Sequence, residues 1–166
     1  VVRLRRQKIA DQADRYYLYQ ESVQDSEAEI DFIEETWHKL RHRPAKLLRE
    51  DFCGTLNTAC EWVRRDTRHY AIGIDWDCDV LEWGRLNNLE QLDDDQFSRI
   101  ILLQENVLEA QTESADIVLA MNFSYFLFLE RGDLLEYFCA VHDTLVDDGV
   151  FFLDAYGGYD APKELI

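Results

Sequence analysis

Two short apolar runs, each ending in carboxylates, frame a glycine turn and a helical stretch: Lys46–Ala59, KLLREDFCGTLNTA, and then Tyr70–Asp77, YAIGIDWD. Read in order, this is a strand, a tight turn through Cys53-Gly54-Thr55, a helix, and a second strand tipped by Asp75. Two strands joined through a helix pair in parallel by a right-handed crossover, and the pattern continues along the chain. Strands are expected at about Lys46–Asp51, Tyr70–Asp75, Arg99–Gln104, Ala115–Asn122 and Val150–Ala155, with helices at about Asn57–Arg65, Asp79–Leu89 and Arg131–Leu145. The strands are continuously apolar rather than alternating, which marks a sheet buried on both faces. The fold class expected is therefore α/β: a doubly wound, mostly parallel sheet with helices on both faces.

Ahead of the sheet, Val1–Gln20 is polar and punctuated by Tyr16, Tyr17 and Tyr19. A helix should follow, opened by Ser26 with Glu29 as a capping box. Ile30, Ile33, Trp37 and Leu40 repeat at helical spacing, Arg41, His42 and Arg43 stand in the last turn, and Pro44 ends it. This divides the chain into an N-terminal helical segment, 1–44, a candidate lid, and a ligand-binding domain, 45–166. Asp93-Asp94-Asp95 reads as a solvated turn, Asp147-Asp148-Gly149 as the turn into the fifth strand, and Leu134, Leu135, Phe138 and Val141 as the buried side of the last helix. The chain starts at Val1 and stops at Ile166 soon after that strand, so a piece of a longer protein is expected, truncated after the fifth strand.

Composition removes several function classes. Seventeen basic residues against thirty-four acidic ones give a net charge of −17, which repels nucleic acid phosphates and anionic membrane surfaces. The four cysteines form no C-x-x-C pair and no Cys/His cluster with zinc spacing, so no metal site is expected and they read as reduced cysteines of a cytoplasmic protein. Val1–Gln12 is charged without an apolar centre, unlike a secretory signal, and no apolar run is long enough to span a bilayer.

In a doubly wound sheet, ligands bind beyond the carboxyl ends of the strands, at the point where strand order reverses. The informative residues therefore follow the strands. After the first come Glu50, Asp51, Phe52, Cys53, Gly54 and Thr55. Gly54 lets a ligand approach the backbone, but Phe52 and Leu56 stand where a pyrophosphate-binding turn would place glycine, which favours a nucleoside cofactor without phosphates. A plain strand–helix turn is the competing reading, and Cys53 lacks an activating base. After the second strand comes Asp75, placed to accept from two ribose hydroxyls; capping of the next helix is the alternative, and Asp77 fits that role better. After the third come Asn106 and Val107, facing a base or forming an ordinary turn. After the fourth come Asn122, Phe123, Ser124 and Tyr125, lining a pocket or packing under a loop.

Taken together these residues resemble a class I S-adenosylmethionine-dependent methyltransferase, of a bacterial group without an assigned substrate. LLREDFCGT resembles the first glycine motif, with Glu50 at its acidic position. IGID resembles the ribose motif, ENVLE the adenine motif, ADIVLAMNFSYF the strand-four motif, and LVDDGVFFLDAYGG the strand-five segment. The resemblance covers Lys46 to the C-terminus and implies a Rossmann-like sheet with S-adenosyl-L-methionine as cofactor. It implies that Phe52, Cys53, Gly54 and Thr55 surround the methionine part of the cofactor and that Asp75 binds the ribose, with Trp76 beside the adenine. Asn106 would face the adenine amino group, Val107 would offer its backbone N–H, and Asn122 would lie near the amino acid end. Three departures stand out: Phe52 and Leu56 in place of glycines, Asn106 in place of the commoner Asp, and an end near the fifth strand where the fold normally adds an antiparallel hairpin. Without that hairpin an apolar edge is open to pairing into a homodimer.

The expected chemistry is in-line transfer of a methyl group to a small-molecule acceptor, with the protein orienting the partners and excluding water. No general base is evident: His69 falls at the wrong edge, His142 in a late helix, and His38 and His42 on the N-terminal helix. Tyr17, Tyr19 and Tyr125 are candidates for substrate contact. Two rivals remain at this point: a nicotinamide-dependent oxidoreductase, which would need a phosphate-cradling glycine turn, and a domain that binds the cofactor or a partner without turnover.

Overall fold

The computed structural model describes residues 13–157. Its centre is a five-stranded parallel sheet in the order β3-β2-β1-β4-β5, built from β1 (Leu47–Asp51), β2 (Tyr70–Asp75), β3 (Ile100–Gln104), β4 (Ala115–Ala120) and β5 (Leu145–Leu153). Strand order reverses between β1 and β4, so the crevice opens above that pair. The expected strands are all present: β2 keeps its expected bounds, and β1, β3 and β4 are one or two residues shorter. The largest difference is in β5: Leu145 pairs with Ala115 and Val150 with Ile117, so the expected turn at Asp147-Asp148-Gly149 is an irregular stretch within the strand.

Strand alternation sends side chains to two cores. Leu48, Ile117, Leu119 and Phe152 face α2 (Ser26–Leu40), α3 (Asn57–Arg65) and α4 (Cys78–Asn87). Ile72, Ile74, Val118 and Ala120 face α6 (Arg131–Thr144). In α6 the residue that sequence spacing overlooked is Tyr137, fully buried, whereas Leu135 points to solvent. Tyr137 is buried because its hydroxyl has a partner, described below; Leu135 lies on the opposite side of the helix.

The N-terminal segment differs most from expectation. A short helix precedes the expected one: Asp14 caps α1 (Arg15–Val23) by accepting from the N–H groups of Tyr16 and Tyr17. The cap of α2 is Asp25, accepting from Ala28, rather than Ser26. α2 ends at Leu40, so Arg41 and Arg43 lie beyond its last turn. Arg43 instead grips Asp116 at 2.6 Å and Asp148 at 2.6 Å, tying the approach to β1 onto β4 and β5. α2 buries Ile30, Ile33 and Trp37 against the sheet and belongs to its covering layer. α1 has no buried residue. Asp94–Ser98 forms a further short helix, α5, closed by a capping box between Asp93 and Gln96 where a plain turn was expected. No helix among the described residues is long and apolar enough to cross a membrane.

Candidate active site

A cleft opens over the carboxyl ends of β1, β2 and β4. Its larger chamber, about 760 Å3, lies between the turn at Phe52 and Gly54, the segment at Asn122 and Phe123, and Tyr16 and Tyr19 of α1. A smaller chamber of about 330 Å3 adjoins it, walled by Phe52, Val107, Leu108 and Phe128, with Asn106 at its edge. Phe52, Asp75, Trp76 and Leu127 border both, so Asp75 stands where the chambers meet. A wider trough, about 920 Å3, runs along the amino ends of the strands. Of its two carboxylates, Glu113 and Asp116, the second is already engaged by the N–H groups of Lys46 and Leu47 and by Arg43.

The turn after β1 shows why Phe52 and Leu56 can replace glycine. Phe52 (φ +57°), Gly54 (φ +51°) and Leu56 (φ +64°) all adopt the left-handed conformation that glycine would supply freely. For a side chain bearing Cβ this costs about 1–2 kcal/mol per residue. The neighbourhood holds the conformation in place: Cys53 N–H donates to Ile74 O (3.0 Å), Leu56 N–H to Cys53 O (2.8 Å), and the Leu56 side chain is fully buried. Asn122 and Phe123, both at φ +58°, form the matching turn after β4, where Phe123 N–H donates to Asp154 Oδ1 at 2.9 Å. These four are the only non-glycine residues of positive φ among the described residues, and all follow the two strands that flank the crevice. Such strain gathers at functional sites.

Asp75 links the turn to the second strand. Its Oδ2 accepts from Gly54 N–H at 2.9 Å and its Oδ1 from Asp77 N–H at 3.0 Å. Each oxygen keeps a lone pair to offer a ligand. Capping of α4 falls to Asp77, as its position suggested. Trp76 is 77% exposed beside it, an unusual setting for the largest apolar side chain.

Other expected site residues are placed differently. Glu50 is buried and lines neither chamber; its Oε2 accepts from Ala59 N–H at 3.0 Å, so it serves the amino end of α3. Burial pushes its carboxyl up to about 8. Burial also holds Glu29 above the ordinary carboxyl range, even though Thr58 Oγ1 donates to it at 3.1 Å. Cys53 is buried and its thiol is pushed well above the usual range, also by burial, so it is no nucleophile. Thr55 is buried too, its hydroxyl donating to Gln20 of α1 at 3.1 Å. Gln20 also accepts from Asn88 at 2.8 Å, which fastens α1 beside the turn. Asn106 borders the small chamber, but the side-chain oxygen expected to meet a base already accepts from Leu108 N–H at 3.1 Å. Val107 walls that chamber.

Of the three tyrosines proposed for substrate contact, only Tyr19 reaches the cleft. Tyr17 is half exposed and borders neither chamber, and Tyr125 is buried, edge-on to Phe126 at 4.8 Å and against Phe138. The single turn of 3-10 helix at Ser124–Leu127 rotates Tyr125 inward and leaves Phe126 and Leu127 on the cleft. Sequence reasoning also missed Arg15 and Tyr16, which face the large chamber from α1. The Asp14 cap was the signal that could have found them. His69 is buried, stacked on Trp62 at 3.6 Å, at the far end of β2 as expected. Among the described residues no cluster of His, Cys, Asp and Glu could hold a metal ion.

No protein-family model matches the chain, and no curated protein matches it in sequence. Solved structures do. The glycopeptide N-methyltransferase MtfA aligns with a TM-score of 0.68 at 18% identity, over 87% of this chain and 60% of that one. An S-adenosylmethionine-dependent methyltransferase from Clostridium acetobutylicum gives 0.69 at 19% identity, over 82% and 54%. CalS10, an amino pentose methyltransferase from Micromonospora echinaspora solved with S-adenosylmethionine bound, gives 0.70 at 15% identity, over 93% and 60%. The chain spans little more than half the length of these structures. At such identities the likeness is one of fold: these methyltransferases share the parallel α/β sheet described above.

Proposed function

We propose that the chain binds S-adenosylmethionine across the two chambers and transfers its methyl group to a small-molecule acceptor. The observation that carries this reading is Asp75, whose carboxylate spans from the glycine turn to the boundary between the chambers on a methyltransferase fold. The residues present fit such a cofactor. The small chamber offers the apolar walls of Phe52, Val107 and Phe128 to a flat base, and Asp75 offers acceptors to two ribose hydroxyls. At Gly54 a Cβ would have no neighbour nearer than 3.9 Å, so the backbone there is open to a ligand. When bound, the cofactor supplies an electrophilic methyl group on a sulfonium.

The chain's own residues then orient and enclose. Phe52 and Trp76 reach both chambers and shield the junction from water, while Asn122 and Tyr19 border the space left for the acceptor. Aromatic walls at Tyr16, Phe123 and Phe126, with a net charge of −17, suit an uncharged or cationic acceptor with an apolar body and disfavour polyanions. α1 is held over the large chamber mainly by polar contacts, among them Trp83 Nε1 to Asp14 at 2.6 Å, and acts as a lid.

Calorimetric titration with S-adenosylmethionine, S-adenosylhomocysteine and NADH tests the reading. The first two should bind saturably and NADH should not. Asp75→Ala should weaken binding by about tenfold or more, since hydrogen bonds to a charged group are worth roughly 1.5–3 kcal/mol each. Preference for NADH, or indifference to the substitution, would overturn it.

A further inference from the structure

Arg49 lies in the middle of β1, 1% exposed, where a strand buried on both faces would ordinarily carry an aliphatic residue. Its Nε donates to Asp51 Oδ1 at 2.6 Å, and the other Asp51 oxygen accepts from the Tyr137 hydroxyl of α6 at 2.9 Å. The rest of the guanidinium reaches away from β1: one nitrogen donates to the carbonyl of Val107 at 3.0 Å and the other to Thr112 Oγ1 at 3.3 Å. Both partners belong to residues 105–114, the crossover from β3 to β4. Crossovers between parallel strands usually carry a helix; this one consists of a bend, a single turn and irregular chain. It therefore lacks a helix's own hydrogen-bond ladder and is tied to the body of the protein by Arg49 and by Glu105 N–H to Asp75 O at 3.1 Å. The same ten residues provide Asn106, Val107 and Leu108, one wall of the small chamber.

A buried ion pair seldom stabilises a fold more than apolar side chains of similar volume, because desolvation offsets the attraction. What apolar residues could not do is hold a carbonyl and a hydroxyl of an irregular loop in register. We propose that Arg49 is the positioning residue for nucleobase recognition: by gripping Val107 and Thr112 it fixes the Asn106–Leu108 wall at the geometry that reads the base of the bound cofactor. This rests on the cofactor reading above.

The test compares binding of S-adenosylhomocysteine, its hypoxanthine counterpart and its 2′-deoxyribose counterpart to the wild type and to the triple variant Arg49→Met/Asp51→Leu/Tyr137→Phe. The variant removes both charges and the hydroxyl together, so no buried charge is left unpaired; the Val107 carbonyl and the Thr112 hydroxyl, the grip under test, lose their donor, and the Tm will report that the fold persists. Preference for adenine over hypoxanthine should fall by about tenfold or more, as expected when a site built to hydrogen-bond loses its register. The penalty for the missing ribose hydroxyl, which depends on Asp75, should stay unchanged. If the triple variant does not fold, Thr112→Val releases one grip and leaves the ion pair intact, and adenine preference should fall more than the ribose penalty. A folded variant with unchanged adenine preference, or one that loses both preferences equally, overturns the proposal. A wild type that binds none of the three overturns the cofactor reading, and this proposal with it.

Discussion

Replacing Glu50 by Gln would take an ionisable group out of the core while keeping the oxygen that accepts from Ala59 N–H. Glu50 is 6% exposed on β1, and burial lifts its carboxyl from 4.5 to about 8. Glu29 and Asp75 add repulsion, and the Ala59 N–H only partly opposes the rise. That rise makes the charged form up to about 5 kcal/mol less favourable in the folded protein than in water. The sign follows from proton counting. Between pH 4.5 and 8 the folded protein holds a proton that the unfolded chain has released, so this residue makes stability fall as pH rises through that window and level off above it. Gln carries no such dependence. Urea denaturation of both proteins from pH 4 to 9 should give nearly equal stabilities at the acid end and a growing advantage for Gln towards pH 8. That advantage should reach a few kcal/mol, large against the roughly 5–15 kcal/mol that holds a domain together. Carboxylates that do not interact with Glu50 contribute equally to both proteins and cancel in the difference. Parallel pH profiles, or a Gln variant less stable at pH 9, would mean that the amino end of α3 stabilises a charged Glu50 and would refute the reasoning.

Two further outcomes follow from packing and exposure. At Gly73 a Cβ would sit 2.4 Å from Leu56 Cδ2 and 3.1 Å from Cys53 Sγ. Gly73→Ala should therefore destabilise by about 1–3 kcal/mol, visible in the denaturation midpoint, because the close-packed interior must shift the glycine turn to make room. Trp76→Ala should leave stability within about 0.5 kcal/mol, as expected for an exposed side chain, yet weaken binding of S-adenosylhomocysteine, because Trp76 borders both chambers; unchanged affinity in a titration would remove it from the site.

The order of elements was legible in the amino-acid sequence, since continuous apolar runs, the Gly54 turn and Asp75 are local signals whose spacing admits few folds. Five parallel strands, the bounds of α3 and β2, and the capping role of Asp77 all follow from such signals. Which side of a short segment faces the cleft was not legible, because it depends on what packs against it. Tyr125 turns inward because one 3-10 turn and Phe138 decide its direction, and Tyr16 lines the cleft because Asp14 reaches Trp83 from 69 residues away. The run Arg49-Glu50-Asp51 illustrates the division. By sequence these are three charged residues at the carboxyl end of a strand, where Glu50 and Asp51 read as candidates for ligand contact. In the folded protein all three are buried, Glu50 on one face of the sheet against α3, Arg49 and Asp51 on the other with Tyr137 and Val107. A strand's alternation says that neighbours point to opposite faces; only the assembled sheet supplies the partners that let charges stay there.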